Sequence, residues 1–226
     1  MQRNTNRLLD YTIRATDGEI GKVDEFYFDD ENWKIRYLIV KTGTWLFGRK
    51  VLISPVGLKK GPWESGVFLM ALTKEKIRNS PNIDTDKPVS RQQETDLNKH
   101  YPWQNYWGGV HAGNASGDDP HLRSTRRVTG YHIHGTDGEI GHVRDFIMDD
   151  ETWQVVYLVV AIHNWLGGKK VLIAVRHIKK VDWDSAKVFV DASVAFIENS
   201  PLFDAAEYIH PEDDNTMHEN SNIHIK

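Results

Sequence analysis

The sequence predicts an all-β protein with short helices, in which two small barrels follow one another along the chain. The first observation is an internal repeat. Thr16–Gly21 (TDGEIG) recurs at Thr136–Gly141, and the same offset of 120 residues relates Trp33 to Trp153, Tyr37 to Tyr157, Trp45 to Trp165, Trp63 to Trp183 and Asn79-Ser80-Pro81 to Asn199-Ser200-Pro201. No gap is needed, and roughly four in ten aligned positions are identical, which marks duplication of a whole domain rather than a short solenoid unit. The second observation is the pattern within each copy: runs of four to ten residues rich in β-formers, separated by polar turns. The third is that neither copy contains a long amphipathic run, so the strands have to bury their apolar faces by closing on one another.

The elements follow in order, and one copy predicts both. Glu19–Phe28 reads as a strand, but Val23, Phe26 and Phe28 do not share one period-2 phase. The mismatch recurs at Val143, Phe146 and Met148, which predicts a β-bulge in each copy, with Gly21 and Gly141 where the backbone bends. Asp29-Asp30-Glu31-Asn32 forms a polar turn. In Trp33–Lys41 one phase carries Trp33, Ile35, Tyr37 and Ile39, while Leu38 and Val40 fill the other, as in a strand covered on both faces. Lys50–Ser54, Leu58–Lys60 and Gly66–Leu72 supply the remaining strands. Thr73 and Ser193 each cap one helical turn that ends at Pro81 or Pro201.

The chain divides on this reading into copy one (residues 1–81), a linker (82–126), copy two (127–201) and a polar tail (202–226). In the linker, Ser90 to Gln93 has the spacing of a capping box, with Leu97 and Tyr101 as i,i+4 partners on the helix that follows. Tyr101, Trp103, Tyr106 and Trp107 then place four large aromatics in seven residues, before a Gly-, Ser- and Asp-rich stretch from Gly108 to Pro120 that reads as flexible. Pro211–Lys226 is polar and is expected to be disordered.

Composition narrows the function classes. A net charge of −4 lacks the basic footprint of a phosphate-backbone binder and argues against nucleic acid as the partner. The absence of cysteine removes disulfides, thiolate catalysis and cysteine metal sites and fits a cytoplasmic location. No apolar run approaches the length of a transmembrane helix, and the polar N-terminal stretch does not read as a secretory signal; peripheral attachment to a membrane surface stays open.

Candidate sites were weighed against structural roles. The G-x-x-G within TDGEIG precedes a strand, so no helix N-terminus receives a phosphate. Asp29-Asp30-Glu31 and Asp149-Asp150-Glu151 lack the alternating ligands of a calcium loop and read as solvated turns. His132 and His134, two apart on a strand, point to one face and, with His142 or His163, form the best metal candidate. Their copy-one counterparts are Thr12, Arg14, Lys22 and Gly43, so a metal site is not part of the shared frame, and none is assigned. No catalytic motif or cofactor-binding motif is present, and the expectation is a non-enzymatic protein. The partner-surface candidates are Trp45 and Trp165 in the loop before Gly48 and Gly168, and Trp103, Tyr106 and Trp107 in the linker.

The pattern D-G-E-I-G-x-V-x-(D/E)-F-x-x-D-D-E-x-W-x-(I/V)-x-Y-L-(I/V)-V, followed by K-V-L-I, resembles the PRC-barrel family, known from the cytoplasmic part of the photosynthetic reaction-centre H subunit and from a ribosome-maturation factor. Residues about 8–81 and 127–201 carry it, and Asp84–Trp107 resembles the connector of bacterial tandem PRC-barrel proteins. The resemblance implies PRC-type barrels that serve as docking modules for protein partners or self-association, with a scaffold or adaptor role. The alternatives it raises are an H-like assistant of photosynthetic electron transfer and a ribosome- or RNA-associated factor. The histidines of copy two add a small-ligand or metal sensor. Against the H-like role, the strand Tyr37–Lys41 has no carboxylate where H subunits carry one near the quinone proton path, and the chain has no N-terminal membrane helix. The ribosome-maturation factor's other domain is likewise missing.

Overall fold

The computed structural model describes residues 1–59, 66–81, 89, 91–101, 103, 121–162 and 168–204, with the side chains of Trp45, Arg91 and Gln92 outside the description. The chain forms two compact units. Among the described residues, one gathers Met1–Arg7, Asn32–Lys34 and the chain from Arg123 to Asp204; the other gathers Leu8–Glu31 and Ile35–Leu122. Each is a small β-barrel domain with few short helices.

In the unit of copy one, strands β2 (Thr12–Ala15), β3 (Gly18–Asp29), β4 (Lys34–Lys41), β5 (Lys50–Ile53) and β6 (Val67–Leu69) form a sheet in the order β5-β4-β3-β2-β6. Neighbours are antiparallel for β2–β3 and β4–β5, and parallel for β2–β6, where Ile13 faces Phe68. Both phases of β4 from Ile35 to Val40 are buried, as its two-sided apolar pattern requires. Helix α1 (Lys74–Arg78) is capped by the Thr73 hydroxyl, which accepts from the Lys76 amide, and α2 (Arg91–His100) is the linker helix.

The unit of copy two repeats this plan. After β7 (Leu122–Ser124) and the turn of α3 (Thr125–Val128) come β8 (His132–His134), β9 (Glu139–Asp149), β10 (Val155–Ile162), β11 (Lys170–Ala174), β12 (Ile178–Asp182) and β13 (Lys187–Val190), ordered β11-β10-β9-β8-β13-β12. Helix α4 (Val194–Glu198) carries the matching Ser193 cap. The expected bulge is present. Val159 faces Asp145 and Val160 faces Val143, which leaves Arg144 as the extra residue of β9.

Gly21 and Gly141 serve close approach. A Cβ on Gly21 would lie 1.9 Å from the Lys41 carbonyl oxygen, and one on Gly141 would lie 1.9 Å from that of Ala161, so only glycine lets the long strand cross its neighbour.

One strand has no counterpart in the reading of the sequence. β1 (Gln2–Asn4) pairs antiparallel with β9 of copy two, Gln2 opposite Asp149 and Asn4 opposite Ile147. Its repeat equivalent begins at Leu122, and the residue before it, His121, accepts the Asp30 amide at 2.9 Å through its carbonyl. Each unit therefore takes its entry strand from chain that precedes the other copy. Residues of the first copy's hairpin join the second unit as well: the Trp33 carbonyl accepts from the Val155 amide at 2.7 Å.

Candidate functional site: docking surfaces of the two copies

The linker helix is fastened to the first barrel by a buried ion triad. Arg36 sits in an otherwise apolar strand, and its side chain is almost completely buried. Its Nη1 donates to Asp29 Oδ2 at 3.2 Å, and its Nη2 donates to Glu94 Oε1 and Oε2 at 2.5 and 2.7 Å. The guanidinium bridges two carboxylates, Nη2 meeting both oxygens of Glu94 and Nη1 meeting Asp29, and this geometry fixes the register of α2 on β4. Leu97 and Tyr101, the expected i,i+4 pair, are fully buried one and two turns further on. Burial pushes the Tyr101 phenol up, against the opposing pull of the Ser80 hydroxyl and of Arg49. Arg49 closes the far end by donating to the carbonyls of Ser80 at 2.8 Å and Pro81 at 2.6 Å.

Asp29 is thereby a buried partner of Arg36, and the reading of the first carboxylate turn as solvated does not hold there. In the second turn Asp149 Oδ1 accepts from the Thr152 amide and hydroxyl at 2.8 and 2.6 Å, and these bonds hold its carboxyl below the usual range. Position 36 is Val156 in copy two, so the triad has no equivalent there.

The partner-surface candidates fall in different places. Trp103 stacks on Tyr101 with ring centroids 4.1 Å apart and lies over Gly57, where a Cβ would meet its ring at 2.7 Å. It is half-buried and staples the chain after α2 to the barrel. Trp45 lies on the 3-10 turn Gly43–Leu46 between β4 and β5. Its side chain, and Trp165, Tyr106 and Trp107 altogether, fall outside the described residues. The residue that the sequence reading missed is Phe47. It follows that turn, is 98% exposed, and adopts a left-handed backbone at φ 54°. A bulky residue is costly there, and the equivalent position in copy two is Gly167. That substitution between copies was the available signal.

The histidines do not converge. His132 and His134 share a face of β8, as period-2 geometry requires, and both turn to Glu139: His132 Nδ1 lies 2.8 Å from Oε1, and His134 Nε2 lies 3.9 Å from Oε2. His142 lies opposite His132 in the ladder, and His163 is outside the described residues. Among the described residues no group of three or more His, Asp or Glu is placed to hold a metal ion.

Asp145 is the most perturbed carboxylate of the second unit. Its Oδ1 accepts from the Thr5 hydroxyl at 2.8 Å, the Asn6 amide at 3.2 Å and its own neighbour's amide, Phe146, at 2.7 Å. Burial outweighs these donors and pushes its pKa up to about 6. It stands where the entry strand crosses β9, so it belongs to that joint. Nearby, Arg3 donates to Asp150 at 2.6 Å. Arg123 lies 4.1 Å over the ring of Trp183, a cation–π stack that half-buries this repeated tryptophan.

Two β-barrel copies, each with its aromatic residues in the frame and its variation at the surface, define a duplicated β-barrel module. The family model of the PRC-barrel domain matches residues 2–64 and 125–195, and the chain belongs to this family. No curated protein matches the chain. Among the described residues no helix is long and apolar enough to cross a membrane.

Proposed function

We propose that the protein is a non-catalytic scaffold that holds a protein partner, or a second copy of itself, through the loop between β4 and β5. The observation that supports this is Phe47, an almost fully exposed aromatic held in a left-handed conformation beside Trp45. An exposed apolar side chain at a strained position has no role in the barrel's own stability, whereas a protruding aromatic is the common anchor of a protein interface. Trp103 is assigned instead to holding the linker, because it is stacked on Tyr101. The test compares wild type, Phe47→Asp and Trp103→Ala in quantitative capture from native lysate, with sedimentation of each purified chain alone. Loss of a specific bound protein, or of a wild-type dimer, in Phe47→Asp and not in Trp103→Ala is the expected result. Equal binding by wild type and Phe47→Asp in both assays overturns the proposal.

A further inference from the structure

A small cavity opens on the second barrel where the turn of α3 meets the β12–β13 hairpin. It is lined by Arg123, Ser124, Arg127, Val128 and Trp183 and measures about 50 Å³. Its walls are held in place by the barrel. Val128, at the end of α3, is fully buried. The Ser124 hydroxyl accepts from the Arg127 amide at 3.2 Å, which fixes the turn that carries both arginines. The hairpin is tied to β8 through the Ala186 carbonyl, which accepts from the His132 amide at 3.0 Å. Trp183 packs against the buried Tyr131, with ring centroids 6.0 Å apart, and Arg123 lies 4.1 Å over its ring. Asp182, the acid before Trp183, is occupied by its own hairpin: it accepts from the Ser185 amide at 3.1 Å and lies 3.7 Å from the Lys180 ammonium.

The same arginines are set differently in the two copies. The counterparts of Arg123 and Arg127 are Arg3 and Arg7. Arg3 is buried, its Nε donating to Asp150 at 2.6 Å, and Arg7 is half-buried. In copy two Arg123 is half-buried on its tryptophan and Arg127 is exposed, with no ion pair for its guanidinium among the described residues. The repeated pair is thus more open to solvent in copy two, and it flanks a cavity with a buried apolar floor.

We propose that this cavity receives a carboxylate side chain from an acidic peptide segment of a partner protein. Its size limits what can enter. A drug-sized ligand needs roughly 300 Å³ or more, so the cavity admits the tip of a longer molecule and not a cofactor or a nucleoside. Its chemistry selects the tip. A guanidinium stacked on an indole bonds in its own plane, the geometry that matches a carboxylate. Arg127 adds a second cation at the rim. Arg123 already occupies a face of Trp183, which takes away the stacking platform that a single-stranded nucleic acid uses. The chain as a whole carries a net charge of −4, so a general field does not draw an acidic segment here; the local arginine pair does. This inference goes beyond the role proposed for Phe47 and does not depend on it.

The probe is an end-capped hexaglutamate peptide, titrated at low salt into the full-length, isotopically enriched protein. The indole N–H signal of Trp183 and the amide signals of Ser124–Val128 should shift saturably. Arg127→Glu should weaken binding by about tenfold or more, since a charge-assisted contact is lost and its charge reversed. Arg123→Lys keeps the charge, loses the planar fork, and should weaken binding as well. Phe47→Asp should bind as wild type does. Spectral dispersion matching wild type in each variant separates loss of binding from unfolding. Absence of a saturable shift at Trp183, unaltered affinity in either arginine variant, or shifts centred on Arg3–Leu8 of copy one overturns the proposal. A loss in Phe47→Asp as deep as in Arg127→Glu overturns it too, because the peptide then sits on the other loop. So does displacement of the peptide by equimolar inorganic phosphate, or tighter binding of a hexathymidylate strand, either of which assigns the cavity to phosphate.

Discussion

The two barrels share a frame and differ in how one face is closed. On the first, a helix from the linker is locked by Arg36 between Asp29 and Glu94, deep in a strand where every neighbour is apolar. On the second, Val156 replaces Arg36 and the same face stays half-buried. A buried ion triad is a poor source of stability, since desolvation consumes most of the attraction, but it tolerates one geometry only. The contrast teaches that register of the linker, rather than strength, is what copy one gained. The carbonyls that end the helical turn are met by different side chains in the two copies: Arg49 reaches Arg78, Ser80 and Pro81 with its guanidinium, and the equivalent Lys169 donates to the Glu198 carbonyl through its ammonium.

The sharpest way to test the shared frame is to break it equally in both copies. Gly21→Ala and Gly141→Ala each force a methyl into a backbone carbonyl that cannot move without parting two strands. Each is expected to cost more than about 4 kcal/mol, in the range reserved for a specific structural fault. Urea unfolding followed by circular dichroism checks this; a loss confined to one variant breaks the claim that the glycines serve the same crossing.

The difference between the copies is tested next. Glu94→Gln removes one of the two carboxylates that Arg36 bridges and leaves the buried guanidinium on Asp29, and a loss of about 3 kcal/mol is expected in urea unfolding. Arg36→Val with Glu94→Leu, which rebuilds the apolar character of Val156, should recover most of that loss. If the double variant is no better than the single, the triad is a source of stability and the comparison fails.

How far these features could be read from the chain depends on the range of the forces involved. The repeat, the Thr73 and Ser193 caps, the bulge in β9 and the helix bearing Leu97 and Tyr101 are local, and each leaves its mark within a few residues. The entry strand β1 was not legible by the same route. Gln2-Arg3-Asn4 has no apolar alternation, and its pairing with β9 is a contact across the sequence. Its only trace is that Arg3-x-Thr5-x-Arg7 recurs as Arg123-x-Thr125-x-Arg127 at the same offset. Arg36 was equally visible as a lone charge in a two-sided apolar strand, but its partner Glu94 lies 58 residues away and nothing local points to it. The candidate surface was read as aromatic, and Trp103 is indeed where an aromatic packs; it packs inward.

The joint between β1 and β9 gives copy two a pH dependence opposite in sign to that of the Asp149 turn. Asp145 has a folded-state pKa of about 6, above the ordinary value of 3.8. Its protonated form is favoured by folding, so its contribution is fully present below about pH 4 and is lost as pH rises through 6. The difference corresponds to about 3 kcal/mol between those limits. Asp145→Asn, which keeps an acceptor for Thr5 and removes the charge, should flatten the stability profile between pH 4 and 7. Urea midpoints measured across that range check it, and a mutant as pH-dependent as wild type there rules out Asp145 as the source.

The smallest effect expected is the most informative about function. Phe47→Gly gives the first loop the residue that copy two has at Gly167. Relief of a left-handed backbone is worth about 1 kcal/mol, and the greater freedom of glycine in the unfolded chain costs about 0.5–1 kcal/mol. The two nearly cancel, and the exposed ring contributes no burial to lose. The unfolding midpoint should thus stay within about 0.5 kcal/mol of wild type on the same balance of terms. A barrel element replaced in this way would weaken the fold; an interface element leaves the fold intact and removes only the bound partner. A measurable drop in stability on Phe47→Gly would place Phe47 among the residues that build the barrel and withdraw the reason for treating the two loops differently.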